Sequence, residues 1–147
     1  RAEKAIKTST IKIINYGKLK KVLDSIVQSC RRVANIHFGY DVTYPYDVEG
    51  CNLNIYKASN LGEYNWHVDE SRTPYIDIKL TVLINLSVKK YEGGNFFIFK
   101  NGERKITELD NPGDMVMFKS YLAHKVTPVT KGERRTLTIF LTGPVFR

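Results

Sequence analysis

The spacing of hydrophobic positions changes once along the chain. Between residues 16 and 36, apolar residues recur at steps of three and four, which predicts an amphipathic helix with one buried stripe. From residue 50 onward they form short runs separated by turn residues, which is typical of β-strands. The predicted strands cover residues 51–57, 77–86, 96–100, 105–109, 115–118, 124–127 and 136–141.

The segments between these runs indicate how the strands are connected. Asn101-Gly102 lies between two of them and is a strong signal for a tight hairpin. Seven or eight short strands at this spacing predict a sandwich or small closed barrel, with the helix packed on the back of a sheet. The tyrosine-rich loop at 40–46 and the segment 70–75 are expected to border the mouth of a site. The alternative is that the loop tyrosines pack the helix onto the sheet.

Size and composition narrow the class of protein. A chain of 147 residues suits one domain, and we predict a single domain over residues 1–147. No apolar run approaches the about 18 residues that a membrane span needs, and no apolar stretch with a cleavage site follows Arg1. We therefore expect no membrane segment and a cytoplasmic location, in which Cys30 and Cys51 remain free thiols.

Basic residues are concentrated at the start of the chain. The net charge is +8, and residues 1–35 contain nine Lys and Arg against two acids, whereas residues 36–147 contain fourteen against thirteen. Such a surplus would attract an acidic protein or a nucleic acid. A solvated helix face explains the same pattern more simply, and we favour that interpretation.

Two of the three histidines stand in a pattern that suggests a metal site. His67-Val68-Asp69 places an imidazole and a carboxylate two residues apart, which on a strand points both to one face. His124 begins another predicted strand. Two His and one carboxylate leave other positions of an ion open, as in non-haem Fe(II) oxygenases. Because such a triplet arises by chance in roughly one chain in seven of this composition, it needs further support.

That support comes from the segment after His124. A glycine-containing turn leads back to Arg134 at the start of the next strand, ten residues on. This returns Arg134 to the sheet beside His124, where its guanidinium could hold a carboxylate through two hydrogen bonds. Arg135 is the rival for this role, but strand alternation favours Arg134, with Thr136 on the same face. The third histidine, His37, has no partner at metal spacing and is interpreted as structural.

These residues resemble a known family. The similarity is carried by His67-Val68-Asp69, Tyr91-Glu92-Gly93-Gly94, Pro112-Gly113-Asp114 and residues 124–137. Together they resemble the 2-oxoglutarate/Fe(II) oxygenase superfamily, in its prolyl 4-hydroxylase-like branch. The resemblance implies a mainly β fold with a double-stranded β-helix (jelly-roll) core over residues 50–141 and a supporting helix over residues 16–36.

The resemblance also implies cofactors and residue roles. The cofactors would be Fe(II), 2-oxoglutarate and O2. The iron ligands would be His67, Asp69 and His124. Arg134 would anchor the far carboxylate of 2-oxoglutarate, and Thr136 and Tyr56 match a hydroxyl and a tyrosine that often accompany it. Asn85 stands where the family often has an aromatic residue, so it receives no role.

The implied reaction hydroxylates a C–H bond and releases succinate and CO2. A protein or peptide substrate is favoured, with a prolyl residue as one candidate target. A small-molecule hydroxylase, a nucleic-acid demethylase and a non-catalytic jelly-roll binding module are the alternatives. In the demethylases the anchoring arginine usually lies further beyond the distal His, so we expect only weak nucleic-acid binding. Asp69 argues against a halogenase, which lacks the carboxylate ligand.

Overall fold

The computed structural model describes residues 6–46, 49–71 and 73–145. The predicted helix is confirmed: α1 spans Tyr16–Val33 and continues into one π-helical turn, Ala34–Phe38. Gly39 ends it with a φ of 65°, the left-handed conformation in which glycine often terminates a helix. Within the ranges given, no helix combines the length and the apolar character needed to cross a membrane.

Strands make up most of the remaining regular structure. The described residues form eleven, more than the seven or eight predicted. In chain order they are β1 (Thr10–Asn15), β2 (Gly50–Lys57), β3 (Tyr64–His67), β4 (Ile76–Asn85), β5 (Glu92–Gly93), β6 (Phe96–Phe99), β7 (Glu103–Lys105), β8 (Met115–Lys119), β9 (His124–Val126), β10 (Val129–Lys131) and β11 (Glu133–Pro144).

The largest sheet is antiparallel and has the strand order β1-β2-β11-β4-β8. Because side chains alternate along a strand, β4 and β11 present different residues to the two faces. The face covered by α1 is apolar and contributes Leu80, Val82, Ile84, Leu137, Ile139 and Leu141 to a core shared with the helix. Cys30 and Cys51 lie in this core as buried free thiols, as predicted.

The opposite face of this sheet meets a second one, of order β3-β9-β6-β7. Both sheets contribute to the core between them, which contains Tyr56, Leu83, Phe96, Ile106, Leu109, Phe118, Val126 and Val129. Two sheets around a common core, with a helix on the outer face of one, form the predicted jelly roll. The hairpin between β6 and β7 is also confirmed, with φ values of 58° at Asn101 and 125° at Gly102.

One predicted strand, residues 105–109, is wrong. β7 ends at Lys105, and Thr107–Leu109 form a 3-10 turn. The turn lets Ile106 and Leu109 be buried in one core although they are three residues apart, a spacing that would place them on opposite faces of a strand. β1 was not predicted; it is an edge strand of the largest sheet, and most of its residues are exposed.

Candidate metal and cosubstrate site

The structure brings His67, Asp69 and His124 together at the end of the four-stranded sheet. His67 ends β3, His124 begins β9, and the two are paired across the antiparallel strands. Asp69 lies beyond the end of β3, so strand alternation does not position it, contrary to the sequence argument. Instead, its N–H donates to the Ser120 carbonyl at 3.0 Å, and the Thr81 hydroxyl donates to its Oδ2 at 2.7 Å.

The three side chains form a compact set of donors. Their ligand atoms lie within 4.8 Å of one another. The carboxylate oxygens of Asp69 lie 3.8 Å from Nε2 of His67 and 3.3 Å from Nε2 of His124. Two imidazoles and one carboxylate beside a cavity match the donor set of a non-haem Fe(II) site with open positions.

Hydrogen bonds determine which nitrogen of each imidazole faces this centre. Nδ1 of His67 lies 2.7 Å from the Asn65 carbonyl, and Nδ1 of His124 lies 2.8 Å from the Leu122 carbonyl. Because a carbonyl can only accept, each Nδ1 carries the proton and each Nε2 presents a lone pair to the centre. Metal-binding histidines usually have such a partner for the second nitrogen.

The electrostatic environment favours the same protonation states. Burial, together with the neighbouring His124, lowers the pKa of His67 to about 4. Burial by itself would raise the pKa of Asp69, but the adjacent His124, the hydrogen bond from Thr81 and the nearby His67 outweigh it and lower that pKa. A neutral imidazole and an ionised carboxylate are the forms that bind a cation.

A buried arginine shares the cavity with these residues. The cavity has a volume of about 150 Å³ and lies between the two sheets. Arg134, on β11, is 1% exposed, and its guanidinium carbon lies 5.1 Å from the ring centre of Tyr56 on β2. Its Nε has no hydrogen-bond partner, and among the described residues the only acid lining the cavity is Asp69. A buried guanidinium without an acidic partner is unfavourable, so this position suits a bound carboxylate.

The register of β11 separates the two candidate arginines. Arg134 and Thr136 both point into the cavity, as does Tyr56 on the neighbouring strand. Arg135 points the other way and pairs with Glu133 outside the cavity. The orientation expected from alternation is therefore observed, while the roles of these residues toward a cosubstrate stay a prediction.

The cavity is also lined by side chains that the sequence analysis did not single out, among them Lys7, Asn54, Tyr64 and Thr138. Alternation could have found two of them, because Asn54 lies two residues before Tyr56 and Thr138 two residues after Thr136. The amide of Asn54 donates to the Thr138 hydroxyl at 2.9 Å. Lys7 and Tyr64 reach the cavity through a pairing between distant segments that no local pattern indicates.

Gly94 makes room for Arg134. It has a φ of 58°, and a Cβ added there would lie 2.9 Å from Cδ of Arg134 and 3.0 Å from Cγ2 of Val129. We expect Gly94→Ala to displace the guanidinium and to weaken 2-oxoglutarate binding roughly tenfold, with a loss of stability of about 1 kcal/mol from the left-handed backbone. Calorimetric titration and thermal unfolding measure both effects, with Gly102→Ala as the control, since Gly102 also has a positive φ but a Cβ added there meets nothing within 4 Å. Unchanged binding in Gly94→Ala would contradict this role.

Some predicted features lie outside the cavity. Asn85 is fully buried, but its amide donates to the Leu109 carbonyl at 2.9 Å and its Oδ1 accepts from the Ser87 N–H at 3.0 Å, so it holds a turn. The expected position of the loop tyrosines at the mouth is wrong for Tyr44, whose hydroxyl bonds to Asp24 on α1. Tyr44 packs the helix onto the sheet, which was the alternative. Residue 72 of the second segment lies outside the described ranges.

Comparison with known proteins agrees with this geometry. The family model described as 2OG-Fe(II) oxygenase superfamily matches residues 51–142, which is more than half of the chain. The chain therefore belongs to the 2OG-Fe(II) oxygenase superfamily. Fe(II), 2-oxoglutarate and O2 are the cofactor and cosubstrates of this family, and the His-Asp-His set and the buried Arg134, which has no acidic partner in the cavity, fit the first two.

Two curated relatives are PKHD-type hydroxylases. The chain is 38% identical over 83 residues to one from Synechococcus sp., an alignment that covers 54% of this chain and 37% of that protein. It is also 38% identical over 91 residues to one from Alteromonas mediterranea, covering 56% of this chain and 38% of that protein. The chain thus spans less than two fifths of the length of these relatives.

Two solved structures with the same fold are prolyl hydroxylases. A Pseudomonas putida prolyl-4-hydroxylase matches with a TM-score of 0.71 and 20% identity, covering 96% of this chain and 75% of that one. A Trichoplax adhaerens prolyl hydroxylase, in complex with a hypoxia inducible factor peptide fragment, matches with a TM-score of 0.69 and 24% identity, covering 92% of this chain and 63% of that one. At these identities the likeness shows the shared jelly-roll fold.

Proposed function

We propose that this chain is an Fe(II)- and 2-oxoglutarate-dependent hydroxylase that acts on a C–H bond of a peptidyl residue, with proline as the first candidate. One observation carries the proposal: a set of two His and one carboxylate shares a cavity with a buried guanidinium that has no acidic partner. A metal site alone would suit many proteins. The added carboxylate-binding position suits a dicarboxylate cosubstrate.

Each residue of the cavity has a specific task in this proposal. His67, Asp69 and His124 hold the iron through two Nε2 atoms and one carboxylate oxygen. Arg134 binds the far carboxylate of 2-oxoglutarate, with the Thr136 hydroxyl and Tyr56 beside it. Thr81 keeps Asp69 ionised and oriented by donating to the oxygen that also faces His124.

The iron with its two cosubstrates supplies the oxidation of C–H to C–OH, with release of succinate and CO2. The protein positions the reactants and keeps bulk water out of the cavity. Leu83, Phe96 and Val126 form apolar walls of the cavity and exclude water from it. The carbonyl partners of the two Nδ1 atoms hold the imidazoles in one orientation, so that the donor set is preorganised.

The surface next to the triad supports a peptide as the substrate. A groove of about 350 Å³ begins at Asp69 and is lined by Glu70, Ser71, Ser120 and Tyr121. Tyr121 is 53% exposed there and offers an aromatic surface beside the site. Hydroxyl, carboxylate and aromatic groups along one groove suit an extended peptide, and the relatives named as hydroxylases and prolyl hydroxylases point the same way. The test is succinate release screened against pools of peptides, nucleotides and metabolites, in which we expect stimulation by peptides.

The basic helix is expected to be dispensable for the chemistry. Lys18 and Lys21 are exposed on α1, and the ammonium of Lys20 lies 5.7 Å from the ring centre of Tyr44. Changing these three lysines to Gln should leave succinate production without substrate within roughly twofold, because surface substitutions alter stability by only about 0.5 kcal/mol. Nucleic-acid binding, measured at rising salt, should be weak and should fade near physiological ionic strength.

The competing function makes the opposite prediction. A nucleic-acid demethylase would bind an oligonucleotide in a sequence- or lesion-specific manner that resists salt, and would oxidise one of its bases. That result would move the substrate from peptide to nucleic acid while leaving the metal site unchanged.

A further inference from the structure

A second cation enters the cavity from the N-terminal segment. The Lys7 ammonium donates to Oδ1 of Asn54 at 3.0 Å and lies 4.4 Å from the ring centre of Tyr64. Both of these neighbours line the cavity. Lys7 therefore belongs to the site, although it lies more than forty residues before the stretch matched by the family model.

The backbone around Lys7 is built into the fold. The Asn65 N–H donates to the Ile6 carbonyl at 2.8 Å, and the Thr8 N–H donates to the Glu63 carbonyl at 3.0 Å. Lys7 itself is bridged to Tyr64, so its segment pairs with the residues that lead into His67. This pairing fixes the position of the Lys7 backbone relative to β3, the strand that ends at His67.

The contacts and charge interactions of Lys7 connect it to the triad. The Tyr64 ring beneath its ammonium stacks on the His67 ring, with 3.3 Å between their centres. The charge of Lys7 acts on His67, and the charge of Asp69 acts on Lys7, whereas Arg134 pairs with Tyr56 further along β2. The cavity thus has one cation at the anchoring arginine and another beside the metal position.

The cavity contains two cationic side chains, Lys7 and Arg134, and this excess of positive charge favours a second anionic group on the ligand. Among the described residues lining it, Asp69 is the only acid, and the proposed function commits Asp69 to the iron. Burial lowers the pKa of Lys7 to about 8, although Asp69 opposes the shift. The single hydrogen-bond acceptor found for Lys7 among the described residues, the Asn54 amide oxygen, is neutral. An anionic ligand group would offset this loss of solvation.

We infer that Lys7 binds the carboxylate of 2-oxoglutarate that lies at the metal, the 1-carboxylate, while Arg134 binds the opposite one. This inference rests on the proposed function. It assigns to the N-terminal segment a positioning role in cosubstrate binding.

Two ligands that each lack one carboxylate distinguish the two cations. 2-Oxopentanoate keeps the 1-carboxylate and the keto group, whereas 4-oxopentanoate keeps the keto group and the far carboxylate. Their binding to the Fe(II)-loaded protein is measured by calorimetry without O2, so that the readout is affinity and not turnover. We expect Lys7→Gln to weaken 2-oxoglutarate and 2-oxopentanoate about 10- to 100-fold, as for the loss of a hydrogen bond between charged groups, and to leave 4-oxopentanoate within about threefold.

Matched variants control for charge and folding. Lys12→Gln removes the same charge from an exposed position of β1 and should change no affinity. Lys7→Met, which retains the packing on Tyr64, should reproduce Lys7→Gln, and Lys7→Arg should restore part of the binding. Arg134→Gln should show the reverse pattern, weakening 2-oxoglutarate and 4-oxopentanoate but not 2-oxopentanoate.

Two results would overturn the inference while sparing the proposed function. One is unchanged 2-oxoglutarate affinity in Lys7→Gln, and the other is an equal loss of both single-carboxylate ligands. Failure of the unmodified Fe(II)-loaded protein to bind 2-oxoglutarate would instead overturn the proposed function, and this inference with it.

Discussion

The His67→Ala and Asp69→Ala variants are each expected to lose iron-dependent turnover of 2-oxoglutarate. Each removes one of three donor groups whose ligand atoms lie within 4.8 Å of one another. Loss of an outer hydrogen-bond partner of a metal ligand already lowers affinity or activity by about 10- to 100-fold, so loss of a ligand should exceed about 100-fold. Succinate formation at fixed Fe(II) measures the effect.

His37→Ala is the matched control for these variants. His37 is the remaining histidine of the chain, is exposed, and lies in the turn after α1 rather than in the donor set. The control should keep full activity, and circular dichroism should show all three variants folded. Full activity in His67→Ala or Asp69→Ala would refute the ligand assignment.

Arg134→Ala is expected to raise the apparent constant for 2-oxoglutarate steeply, while Arg135→Ala leaves it within a few fold. Truncating one partner of a buried, hydrogen-bonded charge pair costs about 2–5 kcal/mol, or roughly 30-fold to several thousand-fold in affinity. Arg135 already pairs with Glu133 outside the cavity. Steady-state kinetics over a range of 2-oxoglutarate concentrations measure both constants, and the opposite ranking would contradict the assignment.

A second variant separates binding from folding at this position. Arg134→Met keeps most of the side-chain volume but removes a buried charge that has no acidic partner in the cavity. Since an unpaired buried charge destabilises a protein, the unfolding temperature without cosubstrate should not fall. A variant that binds poorly yet unfolds no earlier would assign the loss to the missing carboxylate contact.

Local periodicity was enough to predict α1, most strands and the side of β11 on which Arg134 lies. Alternation decided between Arg134 and Arg135 because β11 is a regular strand through both positions. The same reasoning correctly placed Asp69 beside His67, but it did so by assuming that both residues lie on one strand. Asp69 lies past the strand, where contacts from Ser120 and Thr81, both distant in sequence, position it.

The rest of the site depends on pairing between distant segments, which one sequence does not reveal. Lys7 reaches the cavity only because residues 6–8 pair with residues 63–65. In the sequence it was one of nine basic residues near the start of the chain, with nothing to separate it from solvated lysines. Tyr44 is the converse case. The sequence suggested that this aromatic loop residue borders the substrate, but it packs against the core between α1 and the sheet.

The most direct test of the central claim is the stoichiometry of metal and cosubstrate binding. We predict that the protein without O2 binds one Fe(II) per chain and then one 2-oxoglutarate, and that the second step requires the first. Asp69→Ala should abolish both, whereas Arg134→Met should leave Fe(II) binding intact and weaken only the second. Binding of 2-oxoglutarate that does not depend on Fe(II), or Fe(II) binding that survives Asp69→Ala unchanged, would contradict the account.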